Sequence, residues 1–279
     1  MFRPREGSDL SSSKKEKRSL KVHALQQCCL GNLDALRAHQ LEHRYQSPDW
    51  ITCRQDAGQH DVQLVLHAHA DWNLIDDAFV GKDDPGDLMI VMHRLDDPSD
   101  LPLLVTRSLL EAAAADSSID MVVYLEDDLL IEDRELLEKI QFLYQSFGSS
   151  YCFMPHRCER IPGSGDVILS GEPLRERRDL FWATGEQLLI DWLGSQKTFT
   201  RVVNPHSGCF FLMREQALLA CQYWQERGWE IPYQWAGKME MACTGIFLPI
   251  FRMMKIQAAQ ARFFQVRHQD CLWRDIPMA

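Results

Sequence analysis

Apolar positions along the chain fall into two rhythms. Short apolar runs at 62–67 (Val-Gln-Leu-Val-Leu-His), 87–92 (Asp-Leu-Met-Ile-Val-Met), 121–123 and 209–213 are too brief for helices, and turn residues bound them. They read as strands. Between them lie stretches at helical spacing. Leu103 to Ala115 closes on Asp116-Ser117-Ser118, and Leu136, Leu137, Ile140, Leu143 and Tyr144 make one face of a helix over about 133–147. Strand, helix and strand in alternation predict an α/β fold with a mostly parallel sheet flanked by helices. Further on, the pattern predicts a strand at 151–154, a long loop over Gly163–Arg178, a strand at Thr198–Val203 and a helix over Glu215–Arg227. Lys238–Met254 reads as a helix kinked at Pro249, and Arg262–Val266 as a last strand. A helix is expected near Leu33–His43, and residues 1–20 read as a disordered tail ahead of a single domain over 21–279.

The strand at 121–123 leads straight into Tyr124-Leu125-Glu126-Asp127-Asp128. Three consecutive carboxylates after a buried strand repel one another, and desolvation disfavours each ionised form. A cation relieves both penalties, and hard oxygen ligands suit Mg²⁺ or Mn²⁺. The position fits as well, because open α/β sheets bind ligands beyond the carboxyl ends of their strands. The cluster therefore reads as a divalent-metal site that holds a phosphorylated ligand. Capping of the next helix accounts for Glu132, Asp133 and Glu135. It does not account for Glu126 and Asp127, which stand too far ahead of that helix.

Composition narrows the partners. The chain has 279 residues and a formal net charge of −10, which excludes a nucleic-acid backbone as a general partner. Its nine cysteines are scattered with no CxxC pair, so neither a zinc ribbon nor a disulfide framework is indicated, and a reducing, cytoplasmic setting is the simplest expectation. No apolar run has the roughly 18 residues that a membrane span needs. The basic stretch Ser11–Ser19 is the one place where anionic lipid could make peripheral contact.

The strand ending in an acidic triplet, followed by an acidic amphipathic helix, resembles the DxD region of GT-A glycosyltransferases. Glu126-Asp127-Asp128-Leu129 is similar to the Glu-Asp-Asp-Leu of the N-acetylglucosaminyltransferase I type. The resemblance runs from about Asp87 to Ser146. It implies a Rossmann-like GT-A domain, with about 60–150 as the nucleotide-sugar half and about 151–279 as the acceptor half. It implies transfer of a hexosyl or N-acetylhexosaminyl unit from a UDP- or GDP-sugar to a glycan, lipid-linked saccharide or protein, with Mn²⁺ or Mg²⁺ as cofactor. Carried over by position, Asp128 is the direct metal ligand, Asp127 supports the metal or binds ribose, and Glu126 contacts the donor. His268 stands where many members place a late metal-ligating histidine. Glu240 is the candidate base, and Arg107 and Arg157 are candidates to assist the departing diphosphate. The triplet begins with Glu and Glu240 lacks a second adjacent acid, so stereochemistry stays open. A nucleotidyltransferase of similar fold and a non-catalytic sugar- or nucleotide-binding homologue are the alternatives.

Other constellations compete. His67-Ala68-His69-Ala70-Asp71 starts like a zinc-hydrolase motif, but Trp72 stands where that motif wants a further His. Strand-end histidines hydrogen-bonded to loop backbone are the plainer reading. In Asn204-Pro205-His206-Ser207-Gly208, His206 is a candidate for acceptor contact, against a plain turn with Gly208 at positive φ.

Overall fold

The computed structural model describes residues 12–36, 41–44, 52–55, 61–71, 74, 75, 78, 88–161, 165–169, 183–203, 205, 207–231 and 238–269. Its helices are α1 (Ser12–Leu36), α2 (Leu101–Ala115), α3 (Leu136–Phe147), α4 (Arg214–Gln225) and α5 (Lys238–Cys243). The strands are β1 (Leu41–Arg44), β2 (Thr52–Gln55), β3 (Leu64–His69), β4 (Leu88–His93), β5 (Met121–Leu125), β6 (Leu129–Leu130) and β7 (Tyr151–Phe153), then β8 (His156–Ile161), β9 (Gly165–Leu169), β10 (Ala183–Trp192), β11 (Ser195–Val202), β12 (Cys209–Met213), β13 (Arg252–Ile256) and β14 (Gln265–His268).

The central layer is the antiparallel pair β5–β12, in register from Cys209↔Leu125 to Met213↔Met121. Both strands are apolar throughout, so alternate side chains feed opposite cores. Phe210, Leu212, Val122 and Tyr124 enter one core, which α2 and α4 close with Leu110, Ala113, Ala217, Ala220 and Trp224. Cys209 and Phe211 enter the other, which α3 closes with Leu136, Ile140 and Leu143. Each fully buried Leu or Phe contributes on the order of 1.5–3 kcal/mol, so this layer fixes where β5 ends and the acidic triplet begins. A 3₁₀ turn over Pro98–Asp100, capped by Asp97 accepting the Ser99 N–H at 2.9 Å, leads into α2, which stops at Asp116, whose side chain accepts the Ser118 N–H at 2.8 Å.

The chain is mixed α/β, but the sheets are small and mixed in direction. Of the nine strand pairings among the described residues, only β3–β4, β7–β13 and β8–β14 are parallel. The mostly parallel sheet is thus an expectation that these strands do not meet. Connections decide the outcome: β8 returns as β9 and β10 as β11 across links far shorter than the dozen or so residues a crossover needs.

Three other expectations shift. Residues 12–20 belong to α1, a helix that runs on to Leu36 rather than beginning near Leu33. Its Lys, Glu, Leu, Ala and Gln are strong helix formers, which outweighs the lack of an apolar stripe. Gly163–Arg178 contains β9, paired antiparallel with β8. Lys238–Met254 is not one kinked helix. It breaks after Cys243 at Thr244 (φ −140°), makes a 3₁₀ turn over Gly245–Phe247 and re-emerges as β13.

Candidate active site

The acidic triplet is built by three local constraints. The Glu126 N–H donates to the Gly208 carbonyl at 2.9 Å, and the Leu129 N–H donates to the Glu126 carbonyl at 3.1 Å, which folds the turn. Gly208 has φ 66°, as its turn reading expected. A Cβ there would lie 2.6 Å from Glu126 Oε2, so glycine is required both for the backbone and for the carboxylate to pass. After the turn, β6 pairs with β14 in the register His268↔Leu129, and the Gln269 N–H donates to the Asp128 carbonyl at 2.7 Å. That register sets His268 beside Asp128. Asn32 of α1 locks the same turn, donating to the Leu129 carbonyl and accepting from the Ile131 N–H, both at 2.7 Å.

His268 lies between two carboxylates. Its Nε2 is 3.2 Å from Asp128 Oδ2, and its Nδ1 is 2.6 Å from Glu159 Oε1. Burial pushes the imidazole pKa down, but the Asp128 and Glu159 contacts outweigh it, and the net direction is up. Asp128 shows the mirror behaviour: burial raises it, His268 and Arg157 lower it, and the net direction is down. Its other oxygen, Oδ1, is buried and accepts no hydrogen bond among the described residues. Glu126 and Asp127 are both pushed well up, by burial first and then by the Asp128 charge. Burial and mutual repulsion therefore disfavour ionising all three carboxyls of the triplet at once.

Arg157 and Glu240 complete the cluster. Arg157 is buried, with Nη1 3.5 Å from Glu126 Oε2. Glu240 stands near enough for its charge to raise Glu126. Its Oε1 accepts the Thr244 hydroxyl at 2.5 Å. Lys238, bridged to Asp97 at 2.8 Å and to Asp100, ties the start of α5 to the segment ahead of α2. The Thr106 hydroxyl donates to the Ala242 carbonyl at 2.9 Å, which fixes the same two elements further in.

A cavity of ≈ 160 Å³ opens beside the triplet, with His67, His69, Tyr124, Glu126, Asp127 and Met239 in its wall. It lies at the carboxyl ends of β3 and β5, where the sequence placed a ligand.

The structure thus brings together Glu126, Asp127, Asp128, Arg157, Glu240 and His268. Arg107 does not join them: it pairs with Glu111 at 2.8 Å on the exposed face of α2 and lies 5.1 Å from the Trp229 ring. An i, i+4 acid and a neighbouring aromatic ring hold it there, so the donor role expected for it finds no geometric support. His206 lies outside the described residues. His69 spends both ring nitrogens on backbone, Nε2 with the Leu95 carbonyl at 2.9 Å and Nδ1 accepting the Asp71 N–H at 3.1 Å. His67 Nδ1 meets His93 Nε2 at 2.9 Å instead. The backbone-bonded reading fits His69 but not His67, and the set His67, His69 and Asp71 does not converge as zinc ligands. Among the acids after the triplet, Asp133 accepts the Glu135 N–H at 3.1 Å, a capping contact, whereas Glu132 grips Arg267 with two bonds of 2.6 Å.

Sequence reading missed Glu159 and Asn32. Glu159 had one faint signal, a carboxylate two residues from Arg157 on a strand, where period-two alternation puts both on one face.

No group of three or more His, Cys, Asp or Glu side chains among the described residues is arranged to hold a metal ion. One feature nonetheless fits an ion at Asp128: its Oδ1 is buried with no donor among the described residues. His268 Nε2 meets Asp128 Oδ2 directly at 3.2 Å, a hydrogen-bond contact whose place an ion would take, and the Nδ1–Glu159 bond is of the kind that orients a ligating imidazole. No helix among the described residues is long and apolar enough to cross a membrane. No protein-family model matches the chain, and no curated protein matches it.

Proposed function

We propose that the chain is a metal-dependent glycosyltransferase of the GT-A kind, moving a hexosyl or N-acetylhexosaminyl unit from a UDP- or GDP-sugar to a glycan, lipid-linked saccharide or protein. The observation that carries this reading is the meeting of Asp128 and His268, from distant parts of the chain, with Asp128 Oδ1 buried and without a partner among the described residues. A buried carboxylate oxygen without a donor is costly, and a cation is the partner that would satisfy it.

Asp128 and His268 would hold Mn²⁺ or Mg²⁺, with Asp127 in support. Bound there, the ion would act as a Lewis acid that offsets charge on the departing nucleoside diphosphate. Glu159 holds His268 by Nδ1 and so keeps Nε2 facing Asp128. Glu126 and Asp127 line the cavity in which the donor would lie. Arg157 supplies fixed positive charge at Glu126. Glu240 is the base that would take the acceptor hydroxyl proton, and the Thr244 hydroxyl bonds to its Oε1 and orients the carboxylate.

Release of sugar from UDP- and GDP-sugars in Mn²⁺ tests the proposal. Asp128→Ala is expected to lose about 2 kcal/mol or more of transition-state stabilisation, roughly 30-fold in rate, with the fold intact. Near-wild-type turnover in that variant would remove the site assignment. Nucleotide binding without turnover in the wild type would favour a non-catalytic binder.

A further inference from the structure

The wall of the ≈ 160 Å³ cavity carries two histidines of β3, two residues apart on one strand face, and they are held in opposite ways. His69 has both ring nitrogens bonded to backbone, Nε2 at the Leu95 carbonyl and Nδ1 at the Asp71 N–H. His67 is bonded on one side only. Its Nδ1 meets His93 Nε2 at 2.9 Å, with the two rings within 14° of parallel and their centroids 5.1 Å apart. Its Nε2 has no partner among the described residues and is not sealed from solvent. A polar atom so placed in a cavity wall finds its partner in water or in a ligand.

Strand pairing brings the second ring there. β3 and β4 run parallel, in register from Leu64↔Leu88 to His69↔His93, and the Ala70 N–H donates to the His93 carbonyl at 2.7 Å. His93 thus shares a face with His67 and His69 at the carboxyl ends of both strands, the edge at which α/β sheets meet ligands. Two imidazoles joined this way can take up one further proton, which their hydrogen bond lets them share; a second is opposed by like charge. In the empty cavity both rings are held toward the neutral form, His67 by burial and then by His93, and His93 by burial. The other titratable groups in the wall are His69 on β3 and Tyr124, Glu126 and Asp127 at the end of β5; no lysine or arginine is among the described residues that line it. Protonating His69 would cost the bond from the Asp71 N–H, so positive charge arises most readily in this wall at His67.

We propose that His67 and His93 form a ligand-binding dyad, in which His67 Nε2–H donates to an oxyanion of the bound substrate, a phosphate or carboxylate oxygen, while His93 Nε2 accepts from His67 Nδ1–H and holds the ring in place. The proton that makes both N–H groups present comes from solvent, and the dyad takes it up as the anion binds. His67 touches the ligand; His93 acts through it as a positioning residue. Assigning the oxyanion to the nucleotide-sugar donor rests on the proposed function, whereas the dyad's affinity for an oxyanion does not.

Sulfate is the test anion, because it stays dianionic where histidines titrate and leaves any proton exchange to the protein. The full-length chain in EDTA is titrated calorimetrically with sulfate between about pH 5.5 and 7.5, in two buffers of different ionisation heat. Wild type is expected to bind sulfate saturably, more tightly at the acid end, with uptake of about one proton per anion at most. His67→Gln should bind roughly tenfold more weakly or worse and lose most of the proton uptake. In His93→Gln the new side-chain carbonyl still accepts from Nδ1–H while the second ring's charge is gone, so binding survives and proton uptake moves to higher pH. A pair that served packing alone would move neither the proton count nor its pH. Absence of saturable sulfate binding in the wild type, equal binding by His67→Gln, or binding without proton uptake overturns the dyad. Repeating the titration with UDP and Mn²⁺ present separates the sources of the oxyanion. Displacement of sulfate assigns it to the donor, and sulfate retained beside bound UDP assigns it to an acidic acceptor. Sulfate binding in a chain that binds no nucleotide keeps the dyad and removes the glycosyl-transfer reading.

Discussion

Gly208→Ala puts the construction of the site under strain at one atom. The backbone there has φ 66°, and an L-residue in that region costs about 1–2 kcal/mol. The new Cβ would also stand 2.6 Å from Glu126 Oε2, 2.9 Å from Glu126 Cδ and 3.1 Å from Leu129 Cδ1. The first two contacts are closer than real Cβ atoms come, so the carboxylate must swing away and its contact with Arg157 loosens. The two costs together predict a loss of about 2 kcal/mol, with some of the strain appearing as a displaced Glu126. Urea unfolding reads the first as a lower midpoint at unchanged slope, and UDP affinity in Mn²⁺ reads the second. Gly208→Asn divides the two, because Asn tolerates positive φ yet carries the same Cβ. It should recover part of the stability and none of the affinity. Wild-type stability and affinity in Gly208→Ala would refute the close approach of this turn to Glu126.

Glu159→Gln keeps the shape at His268 Nδ1 but removes the charge, and Mn²⁺ affinity should fall about 10–100-fold by titration; unchanged affinity would detach Glu159 from the site. Asn32→Ala orphans the Leu129 carbonyl and the Ile131 N–H together, so denaturant unfolding should show a loss of about 2 kcal/mol or more. His156 donates Nε2–H to the Ile256 carbonyl at 2.6 Å while its Nδ1 is buried without a partner, and burial first, then the Lys255 charge, pushes its pKa down to about 4. The unfolded chain takes up a proton near pH 6.5 that the folded chain refuses until about 4. Stability attributable to this group is thus complete above pH 6.5 and falls by up to about 3 kcal/mol as pH drops to 4. His156→Gln should flatten that limb of the stability–pH curve, and an unaltered limb would show that His156 does not cause it.

How much of this was legible along the chain depended on where charge and apolar rhythm agree. β5, β12 and α2 were legible because each is a clean apolar run closed by turn or capping residues, and the triplet stood out because three acids followed one of them. The meeting of Asp128 with His268 was reached through the resemblance, since no periodicity links residues so far apart. The antiparallel returns were not legible: β8 and β9 lie in a stretch whose glycines, prolines and charges mimic a loop. Reading Lys238–Met254 as one helix hid β13. Arg107 was misleading for the opposite reason. A basic residue on a helix near a suspected site looks functional until its i, i+4 partner Glu111 is seen to hold it.

Calorimetric titration of the purified chain with UDP and with GDP, in Mn²⁺ and again in EDTA, tests the central claim most directly. The account predicts binding of one nucleotide that requires Mn²⁺ and is abolished in Asp128→Ala. Binding that is the same in EDTA, or that survives in Asp128→Ala, would contradict it.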